Sequence, residues 1–203
     1  TGVQTCALPI SYEILSNANA LPAISGRVCP QENQCEGKCV RGKKGEPVAI
    51  GRLERFVADY AREHGYTGKQ EKAAPNGKRV AIVGGGPAGL AAAYFLCRNG
   101  IKATVFDSGD KLGGVVRKII PDFRIAAEAI DADVEIVRAM GAEFVLNSEQ
   151  SSAAALKKQG YKYVIFANGA WKHGLLSLKK GTPLEVIDFL SEFKKSAENT
   201  VLG

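Results

Sequence analysis

A short apolar run followed by regularly spaced glycines dominates the pattern of hydrophobic and polar positions. Residues Val80–Val83 form an uninterrupted apolar stretch rich in β-branched side chains, which predicts a buried parallel strand. The small and apolar residues Leu90–Cys97 predict a helix shortly after it. A second apolar run, Ala103–Asp107, predicts a neighbouring strand that ends in a carboxylate. The order of strand, helix and strand predicts an α/β fold with a parallel sheet.

The glycine loop, residues 84–89, has the G-x-G-x-x-G spacing of a dinucleotide-binding turn. Gly84 permits the tight turn out of the strand, Gly86 lets a pyrophosphate approach the backbone, and Gly89 allows close packing of helix and strand. The amino end of the helix offers N–H groups and a positive dipole to the phosphates. Asp107, 18 residues after Gly89, is placed to accept a hydrogen bond from a ribose hydroxyl. Together these features predict a dinucleotide site.

The periodicity of the remaining chain predicts several further elements. Apolar residues of the 50–65 stretch (Ile50, Leu53, Phe56, Val57, Tyr60 and Ala61) fall on one face, as in an amphipathic helix. Two more strands are expected at Glu143–Leu146 and Tyr161–Ala167. Further helices are expected from Pro121 to Met140, from Ser151 to Gly160 and from Leu184 to Lys195.

Three cysteines, Cys29, Cys35 and Cys39, lie in a stretch dense in glycine, proline and charge. We refer to residues 29–49 as the cysteine loop. Several thiolates in one loop favour an iron–sulfur cluster, because soft ligands must converge on one inorganic core. A zinc site and free thiols remain alternatives, although neither a second cysteine pair nor a nearby histidine follows. Cys97 lies in an apolar helix and is interpreted as an inert buried thiol.

Composition excludes some classes of protein. The chain has 203 residues, 45% of them hydrophobic, with 27 basic and 21 acidic residues and a net charge of +6. The basic residues are dispersed, which favours solvated surfaces over a nucleic-acid-binding patch. No apolar run approaches the roughly 20 residues of a membrane span, and no secretory signal pattern is present. We therefore expect no nucleic-acid or membrane partner, and a reducing, cytoplasmic compartment.

Changes in composition predict the organisation of the chain. Residues 1–10 resemble a translated sequencing-library adapter and are interpreted as a non-native leader. Residues 11–68 are predicted to form a helical domain that carries the cysteine loop. The polar stretch 69–77 is predicted to be a linker, and residues 78–203 to form the nucleotide-binding domain.

These segments together resemble the glutamate synthase small-subunit family. The resemblance lies in RVCPQENQCEGKCVRGKKGEPVAIGRLERFVADYA and KRVAIVGGGPAGLAAAYFL, which occur here in the family's order. The family includes the amino-terminal half of dihydropyrimidine dehydrogenase and the large subunit of ferredoxin–NADP transhydrogenase. The later segments GGVVRKIIPDFRI and YKYVIFANGAWKHG are similar to flavoprotein subunits of the selenate-reductase type.

The resemblance implies a helical iron–sulfur domain followed by a partial Rossmann-like domain that binds FAD rather than NAD. Residues of the glycine loop (Gly84, Gly86, Pro87, Ala88 and Gly89) would hold the pyrophosphate, and Asp107 the adenosine ribose. Further positions that match family contacts to the flavin cofactor are Leu112, Gly113, Gly114, Val115, Arg124 and Gly169.

The same resemblance implies ligands and electron routes. Cys29, Cys35 and Cys39 match ligands divided between two [4Fe–4S] clusters, and Glu54 matches a position where relatives use an oxygen ligand. Ser25 stands where relatives often have a further cysteine. The resemblance implies that upstream cysteines and the NADPH site lie outside this chain, so that the 203 residues are a fragment, inactive alone.

In the intact protein the resemblance implies hydride transfer from NAD(P)H to flavin, and then single-electron transfer through the clusters to a partner. The partner would be a glutamate synthase large subunit, a molybdenum enzyme or ferredoxin. No acid–base pair or nucleophile is evident, which fits chemistry carried out by cofactors. The alternatives are a non-catalytic nucleotide-binding or assembly subunit of a redox complex and a zinc-stabilised nucleic-acid module.

Overall fold

The computed structural model describes residues 2–68, 71–171, 180–181 and 183–200. Parts of the predicted leader (residue 1), linker (69–70) and nucleotide-binding domain (172–179, 182 and 201–203) lie outside the described residues. The helices are α1 (Gly2–Ala18), α2 (Pro22–Val28), α3 (Ile50–Glu63), α4 (Pro87–Arg98), α5 (Val115–Lys118), α6 (Ala127–Ala139), α7 (Ala153–Lys158) and α8 (Val186–Thr200). The strands are β1 (Arg79–Val83), β2 (Lys102–Phe106), β3 (Glu143–Val145) and β4 (Tyr163–Phe166).

The four strands form one parallel sheet in the order β3-β2-β1-β4. Strand β1 is central, with Val80 opposite Ala103 of β2 on one side and Tyr163 of β4 on the other. Four consecutive residues of β1 are buried, because both faces of the sheet are covered. The predicted α/β fold with a parallel sheet is therefore confirmed.

A single hydrophobic core joins the helical segment to one face of the sheet. Ile82, Leu90 and Val105 are completely buried there. Ala20 and Ile24, which flank the start of α2, belong to the same core. A smaller cluster on the opposite face packs Leu156 of α7 against the sheet. The two predicted domains thus share buried surface, while the predicted boundaries between them stay a prediction.

The predicted helix α3 is present, but its buried face is rotated from the expected one and shares only Ala61 with it. Ile50, Leu53 and Phe56 are 36%, 54% and 57% exposed, whereas the small residues Ala58 and Ala61 are buried. The physical reason is the close approach of α2, where a Cβ at Gly26 would lie 2.7 Å from the Arg55 nitrogen. Small side chains permit this approach, and the bulky ones remain outside.

The helix expected from Pro121 to Met140 begins later than predicted, at Ala127. Residues 121–125 form a turn in which the N–H groups of Arg124 and Ile125 both donate to the Pro121 carbonyl. Ala126 is extended, with φ −73° and ψ 152°. This turn carries Ile125, which is only 1% exposed, into the core before the helix starts.

Candidate functional site

A cavity of about 920 Å³ opens where β1, β2 and β4 reach their carboxyl ends. Ligands of open parallel sheets bind at this edge, at the point where the strand order reverses. Residues predicted to hold FAD line it from four separate segments: Gly84, Gly86, Pro87, Ala88, Asp107, Gly114, Val115 and Gly169. The fold therefore brings most of the predicted cofactor residues to one cavity.

The three glycines of the glycine loop have different surroundings. A Cβ at Gly84, where φ is +108°, would lie 2.3 Å from the Ala167 carbonyl oxygen. A Cβ at Gly89 would lie 1.9 Å from the Gly84 carbonyl oxygen. At Gly86 the nearest atom to such a Cβ is the Gly114 Cα, at 3.8 Å. Gly84 and Gly89 are thus required by the fold itself, whereas Gly86 leaves room on the cavity side for a ligand.

Gly86 is also the N-cap of α4, whose first turn contains Pro87. The first bond of this helix runs from the Leu90 N–H to the Gly86 carbonyl, so the amides of Ala88 and Gly89 precede it. Amides in this position are the ones a helix leaves for an external acceptor. Ala88 lies at the cavity, as does the positive end of the helix dipole, and this helix start suits an anionic ligand such as a pyrophosphate.

Gly113 and Gly114, which we call the second glycine pair, complete the wall of the cavity. The Gly113 N–H donates to the Gly85 carbonyl at 2.9 Å, so the two glycine segments are bonded directly. A Cβ at Gly114 would lie 2.8 Å from the Gly86 Cα. Leu112 is only 5% exposed and packs behind the wall, against Gly85. Gly114 and Val115 therefore face the cavity, while Leu112 and Gly113 support them.

Asp107 lies at the cavity directly after β2. Its Oδ2 accepts the Gly85 N–H at 2.6 Å, and its Oδ1 accepts the Gly109 N–H at 2.7 Å. These bonds fix the carboxylate in place. A carboxylate has about four acceptor sites, so capacity remains for a ribose hydroxyl.

Other cavity residues were missed at the level of sequence. The loop after β3 contributes Ser148–Ser151, and α5 contributes Lys118. The carboxyl ends of neighbouring parallel strands lie at the same edge of the sheet, where ligands bind. This rule alone could have predicted that the residues after β3 line the cavity. Trp171 also lines the cavity, and its indole N–H donates to the Asn168 carbonyl at 2.8 Å. Arg124, by contrast, is exposed and is not among the lining residues.

The cysteine loop leaves α2 at Cys29, which is the C-cap residue of that helix. Backbone hydrogen bonds, chiefly from Val48 and then Arg41, lower the pKa of the Cys39 thiol. Desolvation raises the pKa of Cys29, with contributions from the charges of Cys35 and Glu54. The thiols are free and none forms a disulfide among the described residues, so the donors fit an iron–sulfur cluster in kind.

Their arrangement does not complete a metal site. Within the described part of the chain, no group of three or more His, Cys, Asp or Glu side chains is positioned to hold a metal ion. Thiols that serve two different clusters need not converge on one point. The assignment of Cys29, Cys35 and Cys39 to clusters therefore stays a prediction.

Glu54, the predicted oxygen ligand, lies half-buried in a polar cluster at the start of the cysteine loop. One of its carboxylate oxygens accepts from the Asn19 side-chain amide, and the other accepts from Gln31 Nε2 at 3.1 Å. Burial raises the pKa of Glu54, and the hydrogen bonds from Asn19, Ser25 and Gln31 oppose that effect. Gly51 leaves the space that the Gln31 side chain occupies, since a Cβ there would lie 1.1 Å from Gln31 Oε1.

Comparison with known proteins assigns both parts of the chain. Residues 2–66 match the family of dihydropyrimidine dehydrogenase domain II, 4Fe-4S cluster, and residues 82–132 match an NAD(P)-binding Rossmann-like domain. The glutamate synthase [NADPH] small chain of Escherichia coli (strain K12) is 44% identical over 137 residues, 68% of this chain and 29% of that protein. The chain is a homologue of glutamate synthase small chains.

Further relatives extend the match along the chain. The glutamate synthase [NADPH] small chain of Halomonas elongata is 34% identical over 79% of this chain and 34% of its own length. The NAD-dependent dihydropyrimidine dehydrogenase subunit PreT of Escherichia coli (strain K12) is 33% identical over 91% of this chain and 45% of its own. The homologue thus spans less than half of each of these relatives. Its described residues include no helix of the length and apolar composition needed to cross a membrane.

Proposed function

We propose that this chain is part of an oxidoreductase that holds FAD in the cavity and [4Fe–4S] clusters at the cysteine loop. Electrons would enter from NAD(P)H and leave to a redox partner subunit or domain. The observation that carries the proposal is that one hydrophobic core joins the sheet that carries the glycine-lined cavity to helix α2, which ends at the first residue of the cysteine loop. The order of the two family matches along the chain supports it.

The preference for FAD over NAD(P) rests on the part of the cavity wall that adjoins the glycine loop. Gly113 and Gly114 are bonded to and packed against the first glycine segment, so two stretches of backbone face the cavity closely. The cavity also continues to Gly169 and to the loop after β3. A cavity lined by backbone from several segments suits FAD, and a nicotinamide dinucleotide is the alternative occupant.

Bound flavin would supply acceptance of a hydride and release of single electrons, and the clusters would supply a path for those electrons. The residues of the chain bind and orient these groups. The amides at the start of α4 hold phosphate oxygens, and Asp107 holds a ribose hydroxyl. Cys29, Cys35 and Cys39 would provide thiolates, and Glu54, oriented by Asn19 and Gln31, would provide an oxygen.

The proposal is tested by purifying the full-length gene product without oxygen and identifying its cofactors. We expect FAD to be released on denaturation, together with about eight irons per chain for two clusters. Flavin without iron would support the alternative of a nucleotide-binding assembly subunit. Zinc in place of iron, or bound NAD(P) in place of FAD, would contradict the proposal.

A further inference from the structure

Asp133 is a buried carboxylate in the middle of an otherwise apolar helix face. It lies on α6 among Ile130, Val134 and Val137, which are all in the core, and it is itself only 1% exposed. A buried carboxylate is unfavourable unless hydrogen bonds compensate for lost hydration. Its partners therefore indicate why the chain has a carboxylate at this position.

The partners of Asp133 are backbone amides of the helical segment, more than a hundred residues earlier in the sequence. Its Oδ1 accepts the Ala23 N–H at 3.2 Å, and its Oδ2 accepts the Ile24 N–H at 2.8 Å. These are the N2 and N3 amides of α2, which a side-chain oxygen of the N-cap residue normally satisfies. The N-cap of α2 is Leu21, which has no such oxygen. Asp133 thus caps α2 from the nucleotide-binding part of the chain.

The other end of α2 is fixed just before the cysteine loop. Arg27 donates from Nη2 to both carboxylate oxygens of Asp59 on α3, at 2.7 and 2.8 Å, and from Nη1 to the Ala23 carbonyl. Cys29 follows as the C-cap. Helix α2 is therefore a short rigid piece between Asp133 and Cys29.

Helix α6 also contacts the cavity wall. A Cβ at Gly113 would lie 3.0 Å from the Ile130 Cγ2, so Ile130 supports the second glycine pair. Ile130 and Asp133 are separated by about one helical turn, or roughly 4.5 Å along the axis. One rigid helix thus contacts the wall of the nucleotide cavity and the helix that ends at Cys29.

We propose that Asp133 is a positioning residue that sets where the cysteine loop sits relative to the nucleotide cavity. The docking of α2 onto α6 through Asp133 is a property of the fold, whereas its consequence for electron transfer rests on the proposed function. Loss of the cap would let α2 shift or fray. Such a shift would change the distance between the cysteine loop and the nucleotide cavity, on which the rate of electron transfer depends.

The docking is tested by amide hydrogen exchange of the full-length gene product, without reference to activity. Asp133→Ala removes both acceptors, Asp133→Asn retains one, and Glu135→Gln on the exposed face of α6 is the matched control. In the peptide that spans residues 22–29, we expect Asp133→Ala to speed exchange by about 10-fold or more, because local opening is no longer opposed. The exchange rate in Asp133→Asn should lie between those of the parent and Asp133→Ala, and the rate in Glu135→Gln should match the parent.

Electron transfer is tested by following flavin reduction and cluster reduction separately after mixing with NADPH. We expect Asp133→Ala to leave flavin reduction within about twofold of the parent and to slow cluster reduction several-fold. If Asp133→Ala does not fold, Asp133→Asn should show the same selective slowing to a smaller degree.

Three results with Asp133→Ala would overturn the proposal. The first is unchanged hydrogen exchange in residues 22–29, and the second is faster exchange there with unchanged rates of flavin and cluster reduction. The third is an equal loss of both reduction rates. A parent protein without flavin and iron would instead overturn the proposed function. In that case the exchange measurement alone decides whether Asp133 holds α2.

Discussion

Replacing Gly86 by alanine should separate nucleotide binding from folding. The backbone at Gly86 has φ −77° and ψ −177°, a conformation open to any residue. The added methyl group would approach nothing in the protein more closely than the Gly114 Cα, at 3.8 Å. It would, however, project into the space where the cavity meets the start of α4. The fold should therefore accept the substitution, and a bound pyrophosphate should not.

The expected magnitudes follow from these distances. Alanine restricts the unfolded chain more than glycine does, which stabilises the folded state by about 0.4–1 kcal/mol. Alanine is also a poorer N-cap than glycine, which destabilises the folded state by a similar amount. The melting temperature should thus change by less than about 2 °C. Insertion of a methyl group into a packed contact costs about 1–3 kcal/mol. The dissociation constant for FAD should accordingly rise by roughly 5- to 150-fold.

The assay is a titration of the flavin-free full-length gene product with FAD, beside thermal unfolding of the same samples. Gly89→Ala is the matched control, because its methyl group would lie 1.9 Å from the Gly84 carbonyl oxygen. This control should lower the melting temperature by at least about 2–4 °C. Unchanged FAD affinity in Gly86→Ala, or a loss of stability equal to that of Gly89→Ala, would refute the role assigned to Gly86.

Three further predictions concern the cysteine loop, Asp133 and the isolated chain. Cys35→Ser should lower the iron content of the full-length gene product, whereas replacing the buried Cys97 with alanine should not; equal iron in both variants would remove Cys35 from the ligand set. Burial raises the pKa of Asp133 to about 7, against opposing hydrogen bonds from Ile24 and Ala23 and the charge of Arg27. In the unfolded chain this carboxyl has a pKa of about 3.9, so folding takes up a proton at pH values between about 4 and about 7. The free energy of unfolding should therefore fall by at most roughly 4 kcal/mol as the pH rises through that range. Asp133→Asn should flatten this slope in urea unfolding, and an unchanged slope would show that other groups cause it. The 203-residue chain alone should oxidise no NADPH, and sustained turnover by it would show that the nucleotide site has been misplaced.

The glycine loop could be predicted from sequence because its signals are local. An apolar β-branched run, three spaced glycines and a helix lie within about 20 consecutive residues, and each has a direct steric meaning. The structure gives Gly84 and Gly89 the packing roles that the spacing predicts, and it leaves Gly86 facing open space. Local patterns also identified each of the four strands found among the described residues.

Features that depend on distant contacts could not be predicted in this way. The close approach of α2 at Gly26 decides which face of α3 is buried, whereas the apolar periodicity of α3 points to the neighbouring face. Asp133 looks like an ordinary helix-surface carboxylate until Ala23 and Ile24 are brought beside it. Gln31 likewise has no signal of its own, because its role depends on the space left by Gly51.

The resemblance to a family supplied two expectations that spacing alone could not, namely FAD rather than NAD and clusters rather than zinc. Arg124 marks a limit of that transfer, since the position matches the family's flavin contacts but its side chain is exposed and is not among the cavity-lining residues. The turn at residues 121–125 explains the difference. It buries Ile125 and leaves its neighbour outside.

The central claim is that electrons pass from NAD(P)H through a nucleotide held at Gly86 to clusters held at the cysteine loop. Electron paramagnetic resonance of the full-length gene product, frozen after anaerobic mixing with NADPH, tests it most directly. We expect the signal of reduced [4Fe–4S] clusters in the parent protein. We expect no such signal in Gly86→Ala depleted of flavin, in which dithionite should still produce one. Cluster reduction by NADPH that is equally fast in the flavin-depleted variant, or no cluster signal in the parent even with dithionite, would contradict it.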